Sequence, residues 1–205
     1  TRLEVRPIDL RRKTLQHIFN ARSQVLKSIR DYFYQQNFTE INTPKMIATA
    51  TEGGAALFPI FYYNKEAFLA QSPQLYKEQL TMSFEKVFEI APIFRAEPSR
   101  TNRHLAEAIS IDLEEAFVDY NDVMDFTERM IAFIADGLLG TTQITFQGQA
   151  IDFSPPWTRI TMRDAILKYT GIDYNDHTDA ESLAVAIQEY GKANGVATQT
   201  PPGAS

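Results

Sequence analysis

FRAEPSRTNRHLAEAISIDLE, residues Phe94–Glu114, is the stretch on which the fold turns. It lies inside a longer pattern. VFEIAPIFRAE (Val87–Glu97) and EAISIDLEEAF (Glu107–Phe117) are two extended runs joined by the polar loop PSRTNRHLA, which predicts an antiparallel pair with a long connection. Residues two apart on a strand share a face, so Arg95 and Glu97 project together. In the second run Ala108, Ser110, Asp112 and Glu114 form a small polar face, and Ile109, Ile111, Leu113 and Phe117 an apolar one. A sheet with these two faces is suited to hold a polar ligand over Arg, Ser and carboxylates. Arg100, Arg103 and His104 in the loop add cationic groups able to reach phosphates. An ordinary half-exposed hairpin with surface salt bridges accounts for the same pattern equally well.

Outward from this pair the periodicity changes. Leu15, Ile18, Phe19, Val25, Leu26, Ile29 and Phe33 recur at helical spacing and predict an amphipathic helix over residues 13–35. QNFTEINTPKMI then alternates, and Pro44 ends regular pairing. ATATEGGAALFPI reads as a small-residue loop, followed by short strands at Phe61–Tyr63 and Ala67–Leu69 around a turn at Asn64-Lys65. Ser72-Pro73 starts the next helix, with proline in the first turn where its missing N–H costs little. Asn121–Leu139 predicts another helix, with Gly140 beyond its end; Thr161–Tyr169 and Asp179–Tyr190 predict two more. From GKANG onward the chain reads as turn and loop.

The 205 residues suit one large domain or two small ones, and 44% hydrophobic with 22% charged is ordinary for a globular protein. No apolar run approaches the ~20 residues of a membrane span, and the opening TRLEVRPIDLRRK shows no signal-peptide pattern. With no cysteine, disulfides, Cys-ligated zinc and thiol chemistry are excluded; three scattered histidines argue against a His-rich metal site. The first residue is Thr1 rather than Met, as in a processed or excised piece. Net charge is −6, distributed as +6 over residues 1–30, −2 over 31–111 and −10 over 112–205. A basic head of this kind can face a polyanion such as RNA or form a solvated helix face; the overall charge excludes a wholesale nucleic-acid coater.

The Phe94–Glu114 run resembles motif 2 of the class II aminoacyl-tRNA synthetases. QNFTEINTPKM (Gln36–Met46) resembles their motif 1, and ATEGGAALFPIFYYNKEAFLAQSPQLYKEQL (Ala50–Leu80) is similar to the aspartyl/asparaginyl branch. The order and spacing of the blocks agree with the family from about residue 2 to 135. The resemblance implies an α+β fold, an antiparallel sheet flanked by helices and incomplete at its C-terminal side. It implies that residues 1–12 are a linker after an absent anticodon-binding domain, and that 13–205 are the N-terminal portion of the catalytic domain. The chain stops before motif 3, which carries the second arginine and the acidic ligands of Mg2+, so no metal ligand is assigned in this segment.

The same resemblance assigns roles. Arg95 matches the arginine that holds the α-phosphate of ATP and the amino-acid carboxylate, the one catalytic group assigned here. Glu97 matches the carboxylate that reads the adenine amino edge, and Arg103 and His104 lie near the γ-phosphate. Ser99 and Arg100 fall where the motif 2 loop meets the tRNA acceptor end. Glu52 matches the acid that receives the substrate ammonium, with Ser110 and Asp112 where strand residues help it. Gln74 and Lys77, in QSPQLYK, match the pair that binds the aspartate side chain. A cation there suits a carboxylate and not a neutral amide, which favours the aspartyl enzymes of archaeal and eukaryotic type; an incidental surface lysine is the alternative. Ala108 departs from the family, which usually places a Phe under adenine. The expectation is therefore an aspartate–tRNA ligase, cytoplasmic, using ATP and Mg2+, acting on aspartate and tRNA, and dimeric through motif 1. An asparaginyl or non-discriminating synthetase, a tRNA-independent asparagine synthetase-like paralogue and a non-catalytic dimerisation module are the rivals.

Overall fold

The computed structural model describes residues 2, 4–49, 57–96 and 104–197 and divides the chain into two compact units, residues 1–156 and 157–205. In the first, Pro7 sits in a single helical turn, Arg6–Asp9 (α1). The Asp9 carboxylate is clamped by Arg2 at 3.1 Å and Arg12 at 3.3 Å, and the hydrogen bonds from Arg2 hold its pKa below the usual carboxylate value. Lys13–Gln35 (α2) follows, as its periodicity predicts, but only its C-terminal part, with Ile29, Tyr32 and Phe33, is buried.

The end of α2 is a Schellman motif. Asn37 takes the left-handed conformation (φ 63°), Phe38 N–H bonds Phe33 O at 3.0 Å and Asn37 N–H bonds Tyr34 O at 3.1 Å. The apolar contact that accompanies such a cap is Phe38 against Phe33, ring centroids 5.3 Å apart. This turn delivers the chain into Thr39–Glu40 (β1). Met46–Ile47 (β2), Pro59–Tyr62 (β3) and Lys65–Leu69 (β4) form a small antiparallel sheet in the order β2-β4-β3, with Tyr63 at φ 56° in the β3–β4 turn. Gln74–Phe84 (α3) starts from Pro73, which occupies the capping position, while Ser72 Oγ accepts from Gln74 N–H at 3.2 Å.

Lys86–Phe94 (β5) and Glu107–Glu115 (β6) are the antiparallel pair expected from the sequence, and β1 joins β5 in parallel. Tyr120–Leu139 (α4) begins with a capping box in which Asp119 and Asp122 exchange side-chain-to-backbone bonds, and stops at left-handed Gly140. Gln143–Phe146 (β7) and Gln149–Asp152 (β8) make a hairpin that the sequence reading did not anticipate. In the second unit, Met162–Thr170 (α5) and Ala180–Asn194 (α6) are capped by Thr161 and Asp179, and Tyr190 OH donates to Tyr169 O at 3.3 Å between them. Arg163 holds Asp173 through both guanidinium and carboxylate edges. The loop expected from GKANG onward is corrected: α6 continues through Gly191 to Asn194 and ends at left-handed Gly195.

The core lies between α2, α4 and one face of β5–β6. Ile29, Phe33, Phe38 and Phe88 are buried together, with Leu113, Ile90, Phe126, Met130 and Ile134 packed around them. Phe33 stacks on Phe88 with centroids 4.4 Å apart and planes at 14°. The apolar face of β6 is used unevenly. Leu113 reaches this core, but Ile109 and Ile111 are 39% and 40% exposed, and Phe117 lies outside the strand at φ 63° and 95% exposure. The core covers only the end of the ladder nearest Phe88. Phe33→Ala is expected to destabilise the protein by about 3–5 kcal/mol, from lost burial and the cavity left between two rings, and Phe33→Leu by less. Urea unfolding of the two variants measures the difference.

Candidate functional site

The β5–β6 register decides which side chains meet. Val87 faces Glu114, Glu89 faces Asp112, Ala91 faces Ser110 and Ile93 faces Ala108. Directly opposed residues project to the same side, so Glu89, Ser110, Asp112 and Glu114 share the face opposite the aromatic core. Arg95 follows the end of β5, and its N–H still bonds Ala106 O at 3.0 Å, which extends the ladder by one pair. Alternation therefore places Arg95 on the polar side.

Helix α3 covers this face and brings Lys77 to it, 8% exposed. Its Nζ lies 3.4 Å from Asp112 Oδ1, 3.4 Å from Glu114 Oε2 and 3.3 Å from the Leu113 carbonyl. Asp112 and the Leu113 carbonyl accept hydrogen bonds from the ammonium, and Glu114 adds a second ion pair. All three distances are longer than the ~2.7–2.9 Å of a strong charge-assisted bond, so a carboxylate that approached more closely would compete well for the same cation. Ser110 Oγ donates to Asp112 Oδ2 at 2.5 Å and fixes the carboxylate from its other oxygen. The result is a cation set among two carboxylates and a hydroxyl, largely removed from water. Such a cluster offers complementary charge to both ends of a zwitterion bearing an extra carboxylate.

Of the residues predicted from sequence, Lys77, Ser110 and Asp112 come together, and Arg95 lies on the same face. Gln74 stands in the first turn of α3, but its amide donates to Glu78 at 2.5 Å along the helix rather than to this cluster. His104 is exposed in the segment leading to β6. Glu52, Glu97, Ser99, Arg100 and Arg103 lie outside the described residues. Two residues were not singled out from sequence. Gln71 is fully buried immediately before the Ser72-Pro73 turn, and Glu114 is the second acidic partner of Lys77. Glu114 was legible as a member of the polar face; its pairing with Lys77 depends on where α3 lands. Among the described residues no group of three or more His, Cys, Asp or Glu side chains is placed to hold a metal ion.

The basic head is partly neutralised within the fold. Besides Arg2 and Arg12 on Asp9, Lys27 pairs with Asp31 at 2.5 Å and Arg30 with Glu40 at 3.0 Å. These pairs reduce the charge left to act at a distance on a polyanion.

Comparison with known proteins gives one consistent answer. The family described as tRNA synthetases class II (D, K and N) matches residues 1–190. An Archaeoglobus fulgidus protein named aspartate–tRNA(Asp/Asn) ligase is 49% identical over 203 residues, covering 93% of this chain and 46% of its own length. A Pyrobaculum aerophilum aspartate–tRNA(Asp) ligase is 53% identical over 135 residues, 66% of this chain and 32% of the relative. A Methanococcus vannielii aspartate–tRNA(Asp/Asn) ligase is 57% identical over 132 residues, 64% of this chain and 30% of the relative. The chain spans less than half the length of these relatives.

Proposed function

Because this chain belongs to the class II tRNA synthetases (D, K and N), we propose that the protein carrying it activates aspartate with ATP and transfers the aspartyl group to tRNA. The observation that carries the reading is Lys77, buried over Asp112, Glu114 and Ser110 on the polar face of the β5–β6 pair. In the resting arrangement the lysine is balanced by protein carboxylates. Aspartate enters by offering its side-chain carboxylate to Lys77 at shorter range, while its ammonium turns to the acidic residues. An amide side chain brings no charge with which to displace Asp112 or Glu114, so asparagine is the poorer ligand.

Activation needs no protein nucleophile. The substrate α-carboxylate oxygen attacks the α-phosphorus of ATP, the bond to the leaving pyrophosphate breaks, and aspartyl-adenylate remains. What the protein contributes is placement and a fixed positive charge where negative charge grows. Arg95, at the end of β5 and on the polar side, is the group for that task. The later attack of a tRNA terminal hydroxyl on the acyl carbon releases AMP. The names of the Archaeoglobus and Methanococcus relatives support a second reading on the tRNA side, in which aspartate is placed on both aspartate- and asparagine-type tRNAs.

The proposed assembly is a two-fold dimer through motif 1, made by α2 and the strand leading to Pro44. Most of that helix before Val25 is exposed, including Ile18 and Phe19, and a self-complementary contact would cover both. Light scattering of the intact protein at micromolar concentration is expected to give twice the chain mass; a monomer contradicts the assignment. In the intact protein, Lys77→Leu is expected to raise the aspartate KM strongly, for a loss of about 2–5 kcal/mol when a buried charge partner is removed, with the ATP KM little changed. Amino-acid-dependent pyrophosphate exchange measures both, and an aspartate KM that barely moves contradicts the pocket.

A further inference from the structure

Glu89 is a third carboxylate on the polar face, directly opposite Asp112 and 3% exposed, yet its bonds lead away from the Lys77 cluster. Its Oε1 accepts from Thr43 N–H at 2.6 Å, and its Oε2 accepts from Thr43 Oγ1 at 2.9 Å and Lys45 Nζ at 2.8 Å. Lys45 Nζ donates also to Thr43 Oγ1 at 2.9 Å. The backbone of Lys45 then continues the connection. Its carbonyl accepts from Ala70 N–H at 3.0 Å, and the Ala70 carbonyl accepts from Phe94 N–H at 2.9 Å. Phe94 belongs to the same strand as Glu89, so the bonds close a ring through β5, Ala70 and Lys45.

This ring has covalent neighbours in the site. Arg95 follows Phe94, and fully buried Gln71 follows Ala70. Lys77 is held separately, by Asp112, Leu113 and Glu114 of β6. A buried carboxylate holding three donors, one of them a lysine ammonium, is a rigid anchor, and here it fixes the segment on which the end of β5 closes.

We infer that Glu89 is a positioning residue for the reaction: by locking Thr43 and Lys45 onto β5 it sets the Lys45–Ala70–Phe94 backbone bridge and so the placement of Arg95. The inference rests on the proposed role of Arg95 at the α-phosphate. It separates two halves of the site, with the Glu89 ring governing the chemical step and the Lys77 cluster governing aspartate binding.

The test is aspartate-dependent pyrophosphate exchange by the intact protein, run on the parent, Glu89→Gln, Lys45→Met and the double variant. Each single change is expected to lower kcat about tenfold or more, since misplacement of a reacting group on the order of 1 Å can cost about a hundredfold. The aspartate KM is expected to stay within about threefold of the parent, because Lys77 keeps its own partners. The double variant should fall no further than the worse single one, as two groups acting through one pair are not additive. Should Glu89→Gln fail to fold, Lys45→Met decides, because Thr43 still holds Glu89 from both its N–H and its hydroxyl. A Lys45→Met kcat within about threefold of the parent, or a loss confined to KM, overturns the inference. A parent without aspartate-dependent exchange overturns the proposed function and this inference with it; an active parent matched in kcat by Lys45→Met overturns the inference alone.

Discussion

Nine consecutive residue pairs join β5 to β6, from Lys86 opposite Glu115 to Phe94 opposite Glu107, and the first unit is arranged around them. Because side chains alternate along both strands, this register assigns each residue to one of two sides, and a slip of one residue would exchange the sides entirely. Phe88 and Leu113 fall toward α2 and α4. Glu89, Ser110, Asp112 and Glu114 fall toward α3 and the segment before β2. The same pairing that completes the aromatic core therefore assembles the charged surface behind it.

The two sides obey different energetics. On the aromatic side, stacked rings add about 0.5–1.5 kcal/mol per pair beyond the area they remove from water, and Phe33 touches Phe38, Phe88 and Phe126. On the polar side, burial penalises every charge, and each carboxylate must have a cation or donors close by. Lys77 answers Asp112 and Glu114, while Lys45 and Thr43 answer Glu89. A polar layer whose carboxylates are each paired in this way is rigid, which suits the proposed reaction, one that depends on placing two reactants rather than on a protein nucleophile.

Much of this organisation was legible in the sequence, where one period dominates. Helix α2 follows from apolar residues at helical spacing, and the β5–β6 pair from alternation on both sides of a polar loop. The features that escaped depend on single backbone conformations or on distant partners. Asn37 falls inside the run read as alternating, although its left-handed conformation is what directs Phe38 into the core. The β7–β8 turn uses Gln147 and Gly148, both at positive φ, without the Asn-Gly or Asp-Gly signal that usually marks such a hairpin. Gly191 looked like a helix stop, but the stop is Gly195, the one in the left-handed conformation. In the site, Ser110 and Asp112 were evident from spacing two apart. The partners of Lys77 and Glu89 were not, because they lie 35 to 46 residues away in sequence and meet only through the tertiary arrangement.

The central proposal is that the face of β5–β6 opposite the aromatic core is the floor on which substrate lies. A crystal structure of the intact protein with a non-hydrolysable aspartyl-adenylate analogue tests it most directly. The account predicts the aspartyl carboxylate within about 3 Å of Lys77 Nζ, the phosphate mimic at Arg95, and Asp112 or Glu114 released from the lysine. An analogue bound against Ile109 and Ile111, or one that leaves Lys77 with its protein partners and out of contact, would contradict it.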